Sequence, residues 1–344
     1  MQIDVIGGGL SGLAAAISLK THDSSLKVIV HEKHKEIALN HDARKCGEAH
    51  SIESFSMQWK PPVEGIASEI RTAYTIIGDQ TYCFQRKPGT AWVLDRPGFL
   101  LSLKKMAEAK GVLLQTNDAI KDVYSLSGEY IIDASGCPSV VRRQLGLPHR
   151  SYGVGYQETL VNCSAYEEKT LRIIFDDKNG YYWIFPRHPE RKEVNLGVGY
   201  YGMYHLSLRT LLADFKKSHH ITGDIDYVSG GCIPFGLQKP LSYKHIAFVG
   251  DAGVGTFPLD GQGIYRALMS GDAAGYYLAK KNIKGYVRKM MLDFIKWDII
   301  GKNFLRYTQV IRHINKNLIL SSWDRLQKLS GSLSLDDSDF TTVQ

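Results

Sequence analysis

The chain lacks the features that mark several large protein classes. Among its 344 residues no apolar run approaches a spanning helix of about 20 residues, so no integral membrane segment is expected. Its five cysteines, Cys46, Cys83, Cys137, Cys163 and Cys232, are odd in number and never spaced as C-x-x-C. That pattern excludes a disulfide framework and a zinc site, and four of the five are expected to be small buried hydrophobes. No basic leader precedes the first strand, no internal repeat recurs, and no nucleic-acid motif accompanies the positive charge. No metal and no nucleic acid are therefore expected. The expected location is the cytoplasm, at most peripheral on the inner face of the membrane.

What is present is ordinary in bulk and uneven in distribution. A hydrophobic content of 44% and a charged content of 22% suit a globular chain of about two domains. The net charge is +7, but residues 280–330 carry twelve Lys or Arg against three Asp, a local +9 that leaves −2 for the rest. Tyr286, Met290, Phe294, Trp297, Ile300, Phe304 and Ile311 interleave with those charges at helical spacing. Two readings fit: a membrane-surface helix, or a helical subdomain packed on the core with a solvated face.

The densest chemical signal is split between two distant segments. The strand Gln2–Ile6 runs into Gly7-Gly8-Gly9-Leu10-Ser11-Gly12 and a helical stretch, a G-x-G-x-x-G motif in βαβ context. Gly7 permits the tight turn, Gly9 lets the backbone approach a pyrophosphate, with Ser11 beside it, and Gly12 allows the helix to pack closely. A second strand ends at Glu32, 20 residues after Gly12, where an acid binds an adenosine ribose. Nearly 240 residues later, His245–Val249 leads into GDAGVGTFPLDGQGI, Gly250 to Ile264. There Asp251 ends a strand, and Gly261-x-Gly263 opens a helix whose amides favour negative charge. Together the two segments point to FAD.

Between them, alternating strands and helices up to about residue 145 predict a parallel α/β sheet. Ala73–Ile77 and Thr81–Phe84 predict a hairpin turning at Gly78-Asp79. Residues 152–201 are strand-rich with a period of two. The expected division is a discontinuous FAD-binding domain at 1–150 and 240–282, with an antiparallel excursion at about 60–92. A substrate-binding β-sheet domain at 151–239, a helical region at 283–331 and a disordered tail at 332–344 complete it.

These elements resemble FAD-dependent oxidoreductases of the p-hydroxybenzoate hydroxylase fold over about residues 1–285. The resemblance implies a Rossmann-like α/β FAD-binding domain, an inserted mainly antiparallel substrate sheet and a helical C-terminal region. It carries over a second fingerprint at Asp133-Ala-Ser-Gly136, with Ser139 and Arg142 downstream, and a cofactor-holding arginine at Arg96. Lys33, Arg44 and Ala119 join the implied cofactor set with Cys46, Gly47, Gly250, Pro258 and Ile264. Within that fold, Tyr181-x-Trp183-x-Phe185-Pro186 with Gly197-x-Gly199, and Cys46-Gly47-Glu48, are similar to segments of the geranylgeranyl reductase family. Arg187 stands where that family usually has lysine. The family saturates isoprenoid double bonds, which implies a prenylated lipid precursor of archaeal type as substrate, with NAD(P)H, ferredoxin or another carrier as external reductant.

Saturating an isolated alkene needs a hydride donor, a proton source and a dry, aligned slot. Tyr181, Trp183 and Phe185 alternate on one strand and share a face, which suits either an apolar tunnel or plain sheet core. Cys46 is a candidate acid or a flavin contact. Arg44 and Lys45 would favour its thiolate, which makes Glu48 the alternative acid. An aromatic monooxygenase or halogenase on the same fold, and a non-catalytic prenyl-binding protein, are the competing functions.

Overall fold

The computed structural model describes residues 1–39, 46–51, 59–148, 152–176, 180–202, 207–259, 261–311, 321–322, 325 and 340–343, the last four as backbone. β1 (Gln2–Ile6) runs into α1 (Leu10–His22) and returns as β2 (Lys27–His31), parallel to β1 with Gln2 opposite Lys27. The chain then leaves that sheet through β3 (Ala49–Ser51), β4 (Ile66–Glu69), the hairpin β5 (Thr72–Ile77) and β6 (Gln80–Gln85), and β7 (Ala91–Leu94). It comes back through α2 (Arg96–Ala109), β8 (Leu113–Gln115), β9 (Tyr130–Asp133) and α3 (Val140–Gln144). Long strands follow: β10 (Tyr152–Val161), β11 (Thr170–Phe175), β12 (Gly180–Pro186) and β13 (Val194–Tyr201), then α4 (Leu208–Ser218) and β14 (Asp224–Pro234). β15 (Ser242–Tyr243) and β16 (Ile246–Phe248) rejoin the first sheet ahead of α5 (Ile264–Ala279), α6 (Ile283–Ile311) and β17 (Phe340–Val343).

The described residues form three sheets. The six-stranded one, ordered β15-β16-β9-β1-β2-β8, is parallel except at β15, as a βαβ-built sheet covered by helices should be. An eight-stranded sheet, ordered β14-β10-β13-β12-β11-β5-β6-β17, is antiparallel except where β5 joins β11. A small β3-β7-β4 sheet is built from strands on either side of the β5–β6 hairpin in sequence. The main core buries Leu13, Val28, Leu103, Val249 and Leu268 between α1, α2, α5 and the six-stranded sheet.

The hairpin forms at its expected turn, but its parallel pairing from Thr72↔Thr170 to Ile77↔Phe175 makes it part of the eight-stranded sheet. The excursion at 60–92 therefore contributes to the wall that residues 151–239 build. α2 begins at Arg96, so Pro97 and Gly98 lie inside its first turn, where proline's missing N–H is no loss. β14 has no sequence signal, because an exposed edge strand containing Gly230-Gly231 has no alternation to show. The tail expected to be disordered carries β17, whose Phe340 and Val343 stand opposite Phe84 and Thr81. An open β6 edge supplies the pairing that its polar composition hides.

α6 packs one face on the core, as the second reading of the basic tail expects. One face buries Tyr286, Met290, Phe294 and Leu305, and Asp298 below it accepts from Arg266 Nη1 at 2.7 Å. The other leaves Leu292 68%, Ile299 53% and Val310 65% exposed. No helix among the described residues is long and apolar enough to cross a membrane.

Candidate functional site

Both glycine-rich segments open into one cavity of about 1390 Å³. That exceeds the roughly 300–1,000 Å³ of ordinary ligand pockets, enough for a dinucleotide and a second molecule. At the adenosine end Gly7 has φ +106°, and a Cβ there would sit 2.5 Å from the Ala134 carbonyl oxygen. Gly12 packs against the Gly7 carbonyl, while a Cβ on Gly9 would meet nothing within 4 Å, so the space over the loop is open. Glu32 is buried and lines the cavity, its oxygens accepting from the Gly8 N–H at 2.8 Å and the His34 N–H at 2.9 Å. Each carboxylate oxygen keeps a lone pair for a ribose hydroxyl.

Next to it, His31 lies between Asp118, 2.7 Å from Nδ1, and Asp4, 3.1 Å from Nε2. Burial alone would lower its pKa, but the bonds and charges of the two carboxylates outweigh that and hold it above the ordinary value. Lys33, Ala119, Ser11 and Gly136 also line the cavity. Arg44 lies outside the described residues.

Asp133 is corrected. Its carboxylate is fully buried and accepts from the Ser135 N–H at 3.0 Å, Ser135 Oγ at 2.6 Å and Ser139 Oγ at 2.5 Å. It shapes the turn that presents Ser135 and Gly136, and does not itself face the cavity. Arg142 braces from behind, donating to the carbonyls of Lys239, Pro240 and Ala252 at 3.0–3.1 Å.

At the other end, Cys46, Arg96, Asp251, Gly261, Gly263 and Ile264 converge on the cavity. Cys46 Sγ accepts from the Glu48 N–H at 3.2 Å and from Arg96 Nη1 at 3.5 Å. Burial pushes the thiol above its ordinary value despite the Arg96 charge, so it stays protonated at neutral pH. The thiolate expected from Arg44 and Lys45 rests on two residues outside the described ones; the cation placed beside the thiol is Arg96. Burial also raises the Asp251 carboxyl, against the pull of Arg96 and Arg266. α1 and α5 both start without a side-chain cap, at Gly9 and Gly263, so two helix N-termini offer unfilled amides to one cavity.

Glu48 is corrected as a proton source. It is 1% exposed, ion-paired with Arg187 Nη1 and accepts from Asn195 Nδ2 at 3.0 Å. Arg187 also binds Glu193 Oε1 at 2.7 Å and the Leu94 carbonyl at 2.8 Å. Burial opposes the charge on Arg187, but Glu48 and Glu193 more than restore it and hold its pKa up. A carboxylate paired in this way holds the loop.

Three more positions move. Gly250 sits behind the surface, its N–H donating to Ser270 Oγ at 2.9 Å. Pro258 leaves the cavity floor and packs on α6, where a Cβ on Gly301 would lie 2.9 Å from it. Pro186 is buried at the end of β12 opposite Val194. Tyr181, Trp183 and Phe185 do line the cavity, ring to ring at 5.8 and 6.4 Å, with Ile173 opposite Trp183 and Phe175 opposite Tyr181. Trp297 and Ile300 of α6 line it too. Sequence reasoning missed Gln157 and Asn195 and gave Arg187 no role; all three touch the Cys46–Glu48 loop from more than 100 residues away. The signal for Gln157 and Asn195 is polarity within a strand, whereas Arg187 directly follows β12.

No family model matches the chain. It is 26% identical to the digeranylgeranylglycerophospholipid reductase of Methanothrix thermoacetophila, over 98% of this chain and 92% of that protein. Among solved structures it is similar to a geranylgeranyl bacteriochlorophyll reductase-like protein of Thermoplasma acidophilum, with a TM-score of 0.81, 19% identity and coverage of 93% and 89%. A probable FAD-dependent monooxygenase of Pseudomonas aeruginosa shares the fold at a TM-score of 0.65 and 13% identity, over 94% of this chain and 99% of that one. The chain thus shares the fold of FAD-dependent enzymes, and FAD is the cofactor which that fold implies. The residues fit that cofactor: an open glycine loop, a ribose acid and two uncapped helix N-termini share one cavity.

Proposed function

We infer that this chain, a member of the geranylgeranyl reductase family, saturates isoprenoid carbon–carbon double bonds in a membrane-lipid precursor. One observation carries the reading: an apolar aromatic wall meets a half-buried thiol, its pKa raised by desolvation, and an uncapped helix N-terminus inside a single cavity. Gly7, Gly9, Ser11, Glu32, Lys33, Ala119 and Gly136 would hold the adenosine and pyrophosphate, while Arg96, Gly47, Asp251 and Gly261–Ile264 would hold the flavin end. Bound and reduced, FAD supplies a hydride.

The protein's own residues do the rest. Tyr181, Trp183 and Phe185 lay the prenyl chain against the flavin end and exclude water. The Cys46 thiol, kept neutral by burial, delivers the proton to the carbon that does not receive hydride. Arg96 then faces the thiolate left behind, and solvent reprotonates it between turnovers. Amides at the start of α5 favour the negative charge that accompanies flavin reduction. Hydride and proton together complete one C–H bond on each carbon, and an external two-electron carrier restores the donor.

Substrates of this kind reside in bilayers. The exposed Leu292, Ile299 and Val310, flanked by the tail's basic residues and continuous with cavity-lining Trp297 and Ile300, suit docking on an anionic membrane. Anaerobic incubation of dithionite-reduced enzyme with a geranylgeranyl glycerol ether lipid, followed by lipid mass spectrometry, tests the reaction. Gain of hydrogen pairs is expected. Unchanged lipid, with oxygen- or halide-dependent turnover of an aromatic compound instead, would replace it with the monooxygenase or halogenase reading.

A further inference from the structure

Trp183, Gly197 and Gln157 are register partners in one row across β12, β13 and β10. Because a side chain at Gly197 would overlap the indole, the glycine leaves a lane across β13. Trp183 lies in that lane, and its Nε1–H donates to Gln157 Oε1 at 2.9 Å. The other end of the same amide, Nε2, donates to the Cys46 carbonyl at 3.2 Å. Reversing the amide would set N–H against N–H and oxygen against oxygen, so its orientation is fixed by its partners. Gln157 is 3% exposed, and both ends are satisfied.

One row over, the arrangement repeats with Asn195. Its Nδ2 donates to the Gly47 carbonyl at 3.2 Å and to Glu48 Oε2 at 3.0 Å, while Oδ1 accepts from Thr159 Oγ1 at 2.8 Å. Consecutive carbonyls of the Cys46–Gly47 segment are thus held by amides of the substrate sheet. The thiol's position is set from the wall opposite the cofactor domain.

We propose that Gln157 is a positioning residue that ties Trp183 of the substrate wall to the backbone of Cys46, so that the lie of the chain and the aim of the thiol are set together. This rests on the reading of Trp183 as substrate wall and Cys46 as proton donor. A prenyl chain pressed on the indole bears directly on the amide that fixes the Cys46 carbonyl. Buried, fully paired polar links of this kind hold geometry tightly because the dry surroundings make a broken bond costly. A thiol displaced by about 1 Å slows proton delivery by about 10²-fold.

The test uses FAD-loaded protein with Gln157→Met, Trp183→Phe and the double substitution. The first readout needs no lipid: the rate at which iodoacetamide alkylates Cys46, followed by peptide mass spectrometry. Each single substitution is expected to raise that rate about 10-fold as the loop loosens, and the double to add little, because both cut one link. The limiting rate of lipid saturation should fall by about 10²-fold while the half-saturating lipid concentration changes far less. Gln157→Glu keeps the acceptor for Trp183 but can donate to Cys46 only when protonated, so its alkylation rate relative to wild type should approach one as pH falls. Alkylation unchanged in both singles, or effects that multiply in the double, overturns the proposal. If wild type saturates no prenyl chain, the function falls, and the alkylation cycle still decides the positioning role.

Discussion

The cofactor half and the substrate half of this cavity are built by different means. In the cofactor half the working parts are backbone: a turn at Gly7, open space at Gly9, uncapped helix starts before Leu10 and Ile264. Each needs only a short local pattern. In the substrate half the working parts are side chains, and what fixes them comes from far along the chain, as when Arg187 pairs with Glu48 and Asn195 with Gly47. Backbone sites are thus carried by neighbours in sequence, whereas side-chain sites are carried by sheet register.

The sharpest way to break that difference is at the seam between the halves. Arg187→Met would take from buried Glu48 and Glu193 the cation they share, leaving Glu193 with Arg191, and removing one partner of a buried pair costs about 3–5 kcal/mol. Urea unfolding should show that loss, and a change below about 1 kcal/mol would mean the cluster is not an ionised knot. Catalysis is the next lever. Cys46→Ala should retain FAD and fold while slowing lipid saturation about 10²-fold or more, equal to about 2.7 kcal/mol of barrier. With the thiol raised above its ordinary 9.0, the wild-type rate should hold through pH 9 and decline only above it. A decline beginning near pH 7 would exclude Cys46 as the acid.

Gly197→Ala probes the wall alone. The added methyl meets the Trp183 indole inside contact distance, so overpacking of about 1–3 kcal/mol is expected in a thermal melt, with FAD affinity unchanged. FAD fluorescence titration reads the second half, and a weakened affinity would show that the two halves are not separable in this way.

How much was legible follows from the same difference. Gly7, Gly12, Glu32 and Gly263 are placed by spacing, since a strand, a turn and a helix dictate where each must fall. Tyr181, Trp183 and Phe185 share a face because strands alternate. Asp133 misleads because a turn-forming carboxylate and a ligand-binding one look alike in a motif, and only Ser135 and Ser139 decide which it is. Glu48 misleads for a related reason: its partner Arg187 lies 139 residues on, and no local pattern records that it is taken. Gln157 is silent until β10 and β12 are known to flank β13. The basic tail kept two readings because a helix can bury one face and expose another, and hydrophobic spacing alone does not say which neighbours arrive.

Two histidines give the comparison its gentlest test, because their surroundings push them in opposite directions. His31, in the cofactor half, has a pKa raised by Asp4 and Asp118 over the opposing effect of burial. Its contribution to stability is therefore full below the unfolded value of 6.5 and is lost as pH rises through the folded pKa. His50, on β3 beside the Cys46 loop, stacks on Trp92 at 6.0 Å with neither ring nitrogen hydrogen-bonded among the described residues, and burial lowers its pKa to about 4. The unfolded chain takes up that proton first, so His50 weakens the fold as pH falls from 6.5 towards 4. His50→Phe keeps the stack and removes two unpaired buried nitrogens, so at pH 7 stability should change by no more than about 1 kcal/mol, in the favourable direction. The variant's advantage over wild type should widen on acidification to pH 5, while His31→Gln should lose most below pH 6.5 and least at pH 9. Melting curves across that range check both. If the His50→Phe advantage does not depend on pH, His50 has a polar partner in solution, and the seam between the halves is wetter than its burial implies.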